Sequence, residues 1–173
     1  RRQYFLADAS FFRVFSIDLL HGAPNSVLKA PNSIVLSNGT ALKYFGNEDA
    51  VGQMLNFYKD DGTQEVYKVT GVFEDFPTNS HLTCDALVSY NTLQQRYAGN
   101  NPDWKPSEES WEVDDYYTYL LLDEEATTAN LEQKFPGFFT RYKGELFKSR
   151  NIREELHLQP VREIHLYSDL QSE

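Results

Sequence analysis

Apolar and polar positions near the N-terminus predict one strand followed by one helix. Tyr4–Ala7 has the composition of a short strand. Ser10 can cap a helix, because its side-chain oxygen can accept a hydrogen bond from a backbone N–H of the first turn. The apolar residues that follow fall on a broad stripe of helical period and end before Gly22. This pattern predicts a helix from Ser10 to His21.

A second strand and a second helix are predicted after a linker that Pro24 and Pro31 bracket. The apolar run Ser33–Leu36 has the length and composition of a buried strand. Gly39–Phe45 then has the pattern of a short helix, and Gly46 is predicted to end it because glycine readily adopts the backbone conformation of a helix C-terminus.

Two alternating segments predict a β-hairpin in the middle of the chain. Gln53–Tyr58 and Glu65–Phe73 flank the turn at Asp60-Asp61-Gly62. Its Asp-Gly pair supplies the positive backbone dihedrals that a tight hairpin turn needs. Gly71 shares one face of the second strand with apolar residues, so it is predicted to allow a bulge or close packing rather than the approach of a ligand.

Patterns in the second half of the chain are weaker. The predicted elements are a strand at Cys84–Ser89, a helix at Thr92–Tyr97, a long surface loop at Ala98–Asp115, a strand at Tyr116–Leu122, a helix at Thr128–Tyr142 that Pro136-Gly137 must kink or split, and a closing strand at Leu156–Leu166. Hairpin and crossover connections are mixed in this order, and the sequence therefore predicts an α+β fold.

Composition and charge narrow the classes of function. With 173 residues, the chain has the size of one domain or of two small interleaved subdomains. Its formal net charge of -10 opposes the phosphate contacts on which nucleic-acid affinity depends, so no nucleic-acid partner is expected. No apolar run approaches the ~20 residues that a membrane-spanning helix needs. Because the sequence begins at Arg1, we expect it to be an excised or processed fragment, with any membrane anchor outside it.

Glycine and histidine spacings favour neither a phosphate site nor a metal site. Gly46 follows a predicted helix instead of preceding one, and Gly52 lies six residues further on, which is not the spacing of a phosphate-binding loop. His157 and His165 lie eight positions apart in one predicted strand, roughly 26 Å at ~3.3 Å per residue. They can share a metal ion only if the chain folds back between them. We therefore expect no bound cofactor and no metal in this domain.

Candidate catalytic groups are equally weak. The acidic doublets are neighbours in sequence and are typical of solvated turns, although a site assembled from distant acids stays open. Cys84 is the only cysteine, so an internal disulfide is excluded, and nothing beside it would activate the thiol. Trp104 and Trp111 lie in the polar loop, where they either contact a partner or attach the loop to the core. No catalytic residue is predicted.

Several motifs of the chain together resemble one protein family. They are Ala41-Leu42-Lys43-Tyr44-Phe45-Gly46, Glu48-Asp49-Ala50-Val51-Gly52-Gln53, Val69-Thr70-Gly71-Val72-Phe73 and Pro77-x-Asn79-Ser80-His81, with further matches in the opening segment and in Leu158-Gln159-Pro160. Their order and spacing closely resemble the extracytoplasmic core domain of MacB/FtsX-type ABC-transporter permeases, in the form common among Bacteroidetes. The loop from Ala98 to Glu112 matches least.

The resemblance implies an architecture and a role. It implies a porter-like α/β subdomain formed by residues 1–30 and 82–173, with a smaller β-rich subdomain, called Sabre, inserted at 31–81. Phe45, Gly46, Gly52, Gly71, Pro77 and His81 would be structural motif residues. The domain would join two transmembrane helices of a permease on the periplasmic face of the bacterial inner membrane, beside a second permease protomer. ATP would bind a separate cytoplasmic ATPase.

The resulting hypothesis is that this domain couples ATP hydrolysis mechanically to a process in the envelope. That process would be export, the handling of lipoproteins, peptides or drugs, or signalling. It requires both chain termini to lie at one membrane-proximal end. Two alternatives remain open on the residues alone. A secreted or periplasmic hydrolase would need a deep pocket with convergent polar groups, and a stand-alone ligand-binding module would use Trp104 and Trp111.

Overall fold

A six-stranded mixed sheet organises the first part of the chain in the computed structural model, which describes residues 4–58, 62–77, 80–100, 116–151 and 155–164. The chain forms two compact units, Arg1–Lys105 and Pro106–Glu173. The elements are β1 (Tyr4–Ala7), α1 (Phe11–Phe15), β2 (Leu19–His21), β3 (Ser33–Ser37), α2 (Asn38–Phe45), β4 (Met54–Tyr58), β5 (Gln64–Phe73), β6 (Ala86–Ser89), α3 (Asn91–Asn100), α4 (Thr128–Glu132), α5 (Phe135–Tyr142), α6 (Gly144–Arg150) and a 3₁₀ helix (Val161–Glu163).

Parallel and antiparallel pairs alternate across the sheet. Its strand order is β1-β6-β3-β5-β2, and β4 also pairs with β5. β1 is parallel to β6, and β3 is antiparallel to β6 but parallel to β5. β2 and β4 both run antiparallel to β5. The mixed sheet with its helices confirms the predicted α+β fold class.

Both faces of the central strands are buried, as the apolar runs predict. Every residue of β3 and of β6 is buried. Alternate residues of these strands contribute to two core clusters. The first core cluster contains Ile34, Leu36, Val69, Val72 and Val88, and the second core cluster contains Phe12, Val27, Leu28, Val35, Phe73 and Leu87. A strand that is covered on both faces reads as a continuous apolar run, and this explains why β3 could be recognised from sequence.

The helix predicted from Ser10 to His21 is wrong in its second half. α1 ends at Phe15, and Ser16 adopts a left-handed conformation with φ 51° while its N–H donates to the Phe12 carbonyl. Leu19–His21 instead forms β2 and pairs with the end of β5. The apolar residues of this segment are compatible with a helix and with an edge strand. The segment is a strand because it pairs with β5.

The predicted linker between β2 and β3 is part of the core. Val27 and Leu28 within it are buried. The Ser89 hydroxyl donates to the Leu28 carbonyl at 2.7 Å, and the Thr70 hydroxyl donates to the Val27 carbonyl at 2.6 Å. The Asn91 side-chain amide donates to the Lys29 carbonyl at 2.7 Å. These bonds satisfy backbone groups of a segment that has no ladder of its own.

Other predictions for the first unit are confirmed within one or two residues at most boundaries. They are the strands β1, β3, β4, β5 and β6 and the helix α2. The helix predicted at Thr92–Tyr97 is confirmed and continues to Asn100 as α3. Asp60 and Asp61 of the hairpin turn, and residues 101–115 of the predicted loop with Trp104 and Trp111, lie outside the described residues.

Two predicted strands of the second unit are wrong. Tyr116–Leu122 is assigned to no strand. Within Leu156–Leu166, the described residues form an irregular segment up to Pro160 and then the 3₁₀ helix. High β propensity reflects how well a side chain fits a paired, half-buried surface, so it does not produce a strand where the described residues offer no partner strand.

The helix predicted at Thr128–Tyr142 is split, as expected, but the break lies earlier. α4 ends at Glu132 and α5 begins at Phe135, so Pro136 falls in the first turn of α5, where its missing N–H costs no intrahelical hydrogen bond. α6 was not predicted. The division into a porter-like part and an insert at 31–81 stays a prediction, and strands from both segments share the one sheet.

Candidate functional site

A shallow pocket of about 250 Å³ lies at the start of α2 and is open to solvent. It is lined by Ser37, Gly39, Thr40, Lys43, Tyr44, Asp75 and Asp85. A helix N-terminus presents unpaired N–H groups and a partial positive charge, which together attract anions. Whether this pocket could bind an anion therefore depends on which groups already accept hydrogen bonds from the first backbone N–H groups of α2.

The chain's own side chains accept those bonds. Both carboxylate oxygens of Asp75 accept from the Gly39 N–H, at 3.0 and 3.2 Å. The Ser37 hydroxyl oxygen accepts from the Thr40 N–H at 3.3 Å. Asp75 thus occupies the position that an anionic ligand would take, and the pocket is a capping arrangement that attaches α2 to the segment following β5.

Replacing the capping carboxylate tests this interpretation. We expect Asp75→Ala to lower the free energy of unfolding by about 1–2 kcal/mol, because it removes an acceptor and a negative charge from the α2 N-terminus. Urea denaturation at neutral pH provides the measurement. Glu48→Gln, an exposed acidic residue past the other end of α2, is the matched control and should change the value by less than about 0.5 kcal/mol. Equal effects of the two changes would contradict the capping role.

A polar cluster joins β5 to α3 on the face that carries Tyr67. An Arg96 guanidinium nitrogen lies 2.8 Å from a Glu65 carboxylate oxygen and 3.3 Å from the Tyr67 hydroxyl. The Tyr67 hydroxyl donates to the other Glu65 oxygen at 2.7 Å. Burial, followed by the hydrogen bond to Glu65, raises the pKa of Tyr67 to about 12. These three contacts link β5 to α3.

The raised pKa of Tyr67 predicts a pH dependence. A group whose pKa is higher in the folded state stabilises that state fully below its unfolded pKa, here 10.0, and loses this contribution as pH rises towards about 12. The difference in free energy of unfolding between the native chain and Tyr67→Phe should be constant below pH 10. It should then shrink by about 2 kcal/mol at higher pH. Tyr58→Phe is the exposed control and should show no such change. A difference that is flat to pH 12 would contradict the assignment.

The six structural motif residues take local roles in separate parts of the fold. Phe45 packs against the first core cluster, and Gly46 ends α2 with φ 61° while its N–H donates to the Leu42 carbonyl at 2.8 Å. The Gly52 N–H donates to the Val69 carbonyl at 2.8 Å. Pro77 and His81 follow β5, where the Pro77 carbonyl accepts from the Ser80 N–H and the His81 ring lies 6.4 Å from the Phe15 ring.

Gly71 lies where β3 and β5 shift register. Ile34 is opposite Val69, but the next residue, Val35, is opposite Gly71. A Cβ atom at Gly71 would lie 2.9 Å from the His21 carbonyl oxygen and 2.9 Å from a Val27 methyl group. The absence of a side chain therefore allows the β2–β3 connection to lie directly against the sheet.

The titratable groups weighed from sequence form no reactive constellation among the described residues. Burial raises the pKa of the half-buried Cys84 thiol to about 12, so the thiolate that would act as nucleophile is scarce at neutral pH. His157 lies 3.9 Å from a Glu155 oxygen on an exposed segment, and His165 lies outside the described residues. Within the described ranges, no three His, Cys, Asp or Glu side chains form a group that could hold a metal ion.

Sequence reasoning missed the Asp75 cap and the Arg96 cluster. Asp75 and Gly39 are separated by 36 positions, and Arg96 and Tyr67 by 29, so local spacing gives no signal for either contact. The alternation along β5 does place Glu65 and Tyr67 on one face, and this was the only usable signal.

The described part of the first unit is held together by helix caps, glycine turns and a sheet that is packed on both faces. The chain belongs to the family of MacB-like periplasmic core domains, whose family model matches residues 2–137. This confirms the resemblance given by the sequence motifs. It also establishes the location of the domain, which is the periplasmic side of the membrane.

A solved structure supports the fold. A Porphyromonas gingivalis domain described as part of a permease protein is 23% identical, with a TM-score of 0.56 over 79% of this chain and 58% of that chain. The periplasmic region of MacB from Actinobacillus actinomycetemcomitans is 13% identical, with a TM-score of 0.45 over 79% of this chain and 55% of that chain. This chain thus spans little more than half the length of either. No curated protein matches it. No helix in the described part of the chain is long and apolar enough to cross a membrane.

Proposed function

We propose that this domain is a non-catalytic coupling element of an ABC-transporter permease. It transmits motion between membrane helices and the periplasm, and ATP is hydrolysed by a separate cytoplasmic ATPase. The observation that carries the proposal is membership of the periplasmic core family over residues 2–137, together with a sheet that is packed on both faces. Such a sheet resists deformation, because interiors packed at crystal-like density transmit strain instead of absorbing it.

The position of β1 supports this role. β1 is an edge strand paired with β6 through four residue pairs, from Tyr4 opposite Ala86 to Ala7 opposite Ser89. A membrane helix that precedes β1 would load these pairs along the strand direction. β6 is in turn paired with β3, which is paired with β5, so the load spreads across the buried centre of the sheet. Displacement at one end of β1 would then move the whole first unit.

The partners of the proposed mechanism follow from the same reasoning. They are the flanking transmembrane helices of the permease, a second permease protomer, the cytoplasmic ATPase, and an envelope protein or peptide as cargo. No cofactor is required in this domain. Both chain termini would lie at one membrane-proximal end, so that the halves of two protomers could approach and separate during the ATP cycle.

The proposal is tested on the full-length protein that contains this chain. We expect an ATPase to co-purify with it from detergent-solubilised membranes. Replacing residues 4–151 by a flexible Gly/Ser linker should leave ATP hydrolysis within about twofold but abolish export or signalling in cells, because such a linker transmits no directed displacement. An unchanged transport phenotype would contradict coupling by this domain. Hydrolysis of a glycan or peptide by the isolated chain would instead support the secreted hydrolase.

A further inference from the structure

The segment 134–150, which covers α5 and α6, is strongly basic within an acidic chain. It contains five Lys or Arg residues and one acidic residue, Glu145, and therefore has a formal charge of +4 while the whole chain has -10. The five basic residues are Lys134, Arg141, Lys143, Lys148 and Arg150. The remainder of the chain is correspondingly more acidic, so the basic charge is concentrated on one short helical segment.

The same segment exposes aromatic rings. Helical spacing places Phe135, Phe138, Phe139 and Tyr142 of α5 within one arc of about 100°. The Phe139 ring packs on the Phe147 ring of α6 at 5.5 Å between centroids. Phe138 and Tyr142 lie 5.0 Å apart and remain 40% and 45% exposed. An adjacent pair of exposed rings is typical of a contact surface rather than of a solvated helix face.

Cations lie beside these rings. The Arg141 guanidinium lies 5.2 Å from the centre of the Tyr142 ring. The Lys143 ammonium lies 5.5 Å from the centre of the Phe147 ring. The Lys148 side chain is 79% exposed, and its ammonium lies 3.4 Å from a carboxylate oxygen of Glu145, which is 95% exposed. Among the described residues of the second unit, 116–151 and 155–164, none is classed as buried.

We propose that Lys134, Phe138, Arg141, Tyr142 and Lys148, called here the basic aromatic surface, bind the anionic phosphate headgroups of membrane lipids. Lys and Arg beside Phe and Tyr on a short amphipathic helix are the composition that lies in a membrane interface, with rings at the headgroup level and cations on the phosphates. Each basic residue near an anionic surface adds to the attraction. The acidic remainder of the chain contributes little repulsion from beyond about 10 Å at 0.1 M salt.

Lipid fits this surface better than an acidic protein does. A lipid bilayer is part of the surroundings of a permease domain, the proposed role of this chain, whereas no feature of its described residues identifies an acidic protein partner. Exposed rings bordered by cations on two short helices also suit shallow insertion, which requires no complementary groove. The inference does not depend on the coupling mechanism, because vesicles without permease or ATPase are sufficient to test it.

Vesicle flotation with the 173-residue chain provides the test. The chain should float with vesicles made of equal parts phosphatidylglycerol and phosphatidylcholine at about 0.05 M salt, but not with phosphatidylcholine alone. Flotation should be lost at about 0.5 M salt. The triple change Lys134→Gln, Arg141→Gln and Lys148→Gln should lower partitioning at least about tenfold. The double change Phe138→Ala and Tyr142→Ala should lower it by roughly the same factor, since ring insertion contributes as well.

The matched control neutralises three exposed basic residues of the first unit, Arg13→Gln, Lys29→Gln and Lys43→Gln. It changes net charge equally and should alter partitioning less than about twofold. Circular dichroism should show that all variants remain folded, because the changed side chains are exposed. The proposal is overturned if the native chain does not float, if the control loses as much binding as the first triple variant, or if the surface instead drives self-association in sedimentation experiments.

Discussion

Phe73→Ala should lower the free energy of unfolding of the first unit by about 3–5 kcal/mol, the largest effect we expect of any core substitution discussed here. Phe73 is 0% exposed and lies at the end of β5, where that strand pairs with both β2 and β3. Its ring lies 6.1 Å from the Phe12 ring and 5.3 Å from the Phe76 ring. Removing it leaves a cavity between the sheet and α1, and neighbours fixed by strand pairing cannot collapse into it.

Urea denaturation followed by near-UV circular dichroism measures this loss. Folded domains are stable by only about 5–15 kcal/mol, so a substantial fraction of Phe73→Ala protein could be unfolded at 37 °C. Tyr58→Ala in β4 is the control, because Tyr58 is 75% exposed and should cost less than about 1 kcal/mol. A loss below about 1.5 kcal/mol for Phe73→Ala would show that the second core cluster is not packed as described.

Gly22→Ala should lower the free energy of unfolding of the first unit by about 2–4 kcal/mol. Gly71→Ala should lower it by about 1–3 kcal/mol. A Cβ atom at Gly22 would lie 2.7 Å from a Val27 methyl group and 2.8 Å from the Thr70 carbonyl oxygen, and the backbone there has φ 100°. A Cβ atom at Gly71 would meet the His21 carbonyl oxygen at 2.9 Å. Carbonyl oxygens held in strand pairing cannot move aside as a flexible side chain can.

A third glycine provides the control for these two changes. Gly137 is in α5, and apart from its chain neighbours and the backbone of its own helix no atom lies within 4 Å of the position that its Cβ would occupy. Gly137→Ala should therefore be neutral or stabilising by up to about 1 kcal/mol, because alanine favours the helix. Thermal denaturation of the three variants ranks them directly. If Gly22→Ala and Gly71→Ala were as stable as Gly137→Ala, the close contact between the β2–β3 connection and β5 would be wrong.

Local rules predicted the elements whose ends are defined by nearby residues. Gly46 follows α2, and an Asp-Gly pair lies in the sequence between β4 and β5, so a few consecutive residues were sufficient to find these elements. Leu19–His21 and Tyr116–Leu122 were assigned wrongly for a shared reason. Whether an apolar segment becomes helix, strand or neither depends on which partner it meets, and that information is distant in the sequence.

Glycine packing and polar contacts could likewise be predicted only where the signal lies in nearby residues. The packing role of Gly71 was predicted from the alternation along one strand. That of Gly22 was not, because it depends on the approach of Thr70 from β5. Asp75 contacts the α2 N-terminus from 36 positions away in the sequence. Arg96 of α3 contacts Glu65 of β5, and β6 lies between these two elements in the sequence. The family could be recognised without these contacts, because its motifs are the local turns and strand ends.

A distance measurement in the assembled permease tests the coupling proposal most directly. Both experiments use the full-length protein with Cys84→Ala. Spin labels at Lys43→Cys in each of two protomers report the separation of the two domains. In a second experiment, labels at Arg13→Cys and Lys43→Cys of one protomer report deformation within the first unit. We expect the distance between protomers to change by several ångströms between the nucleotide-free and ATP-bound states, while the distance within the unit stays constant. An unchanged distance between protomers during active ATP hydrolysis would contradict the account.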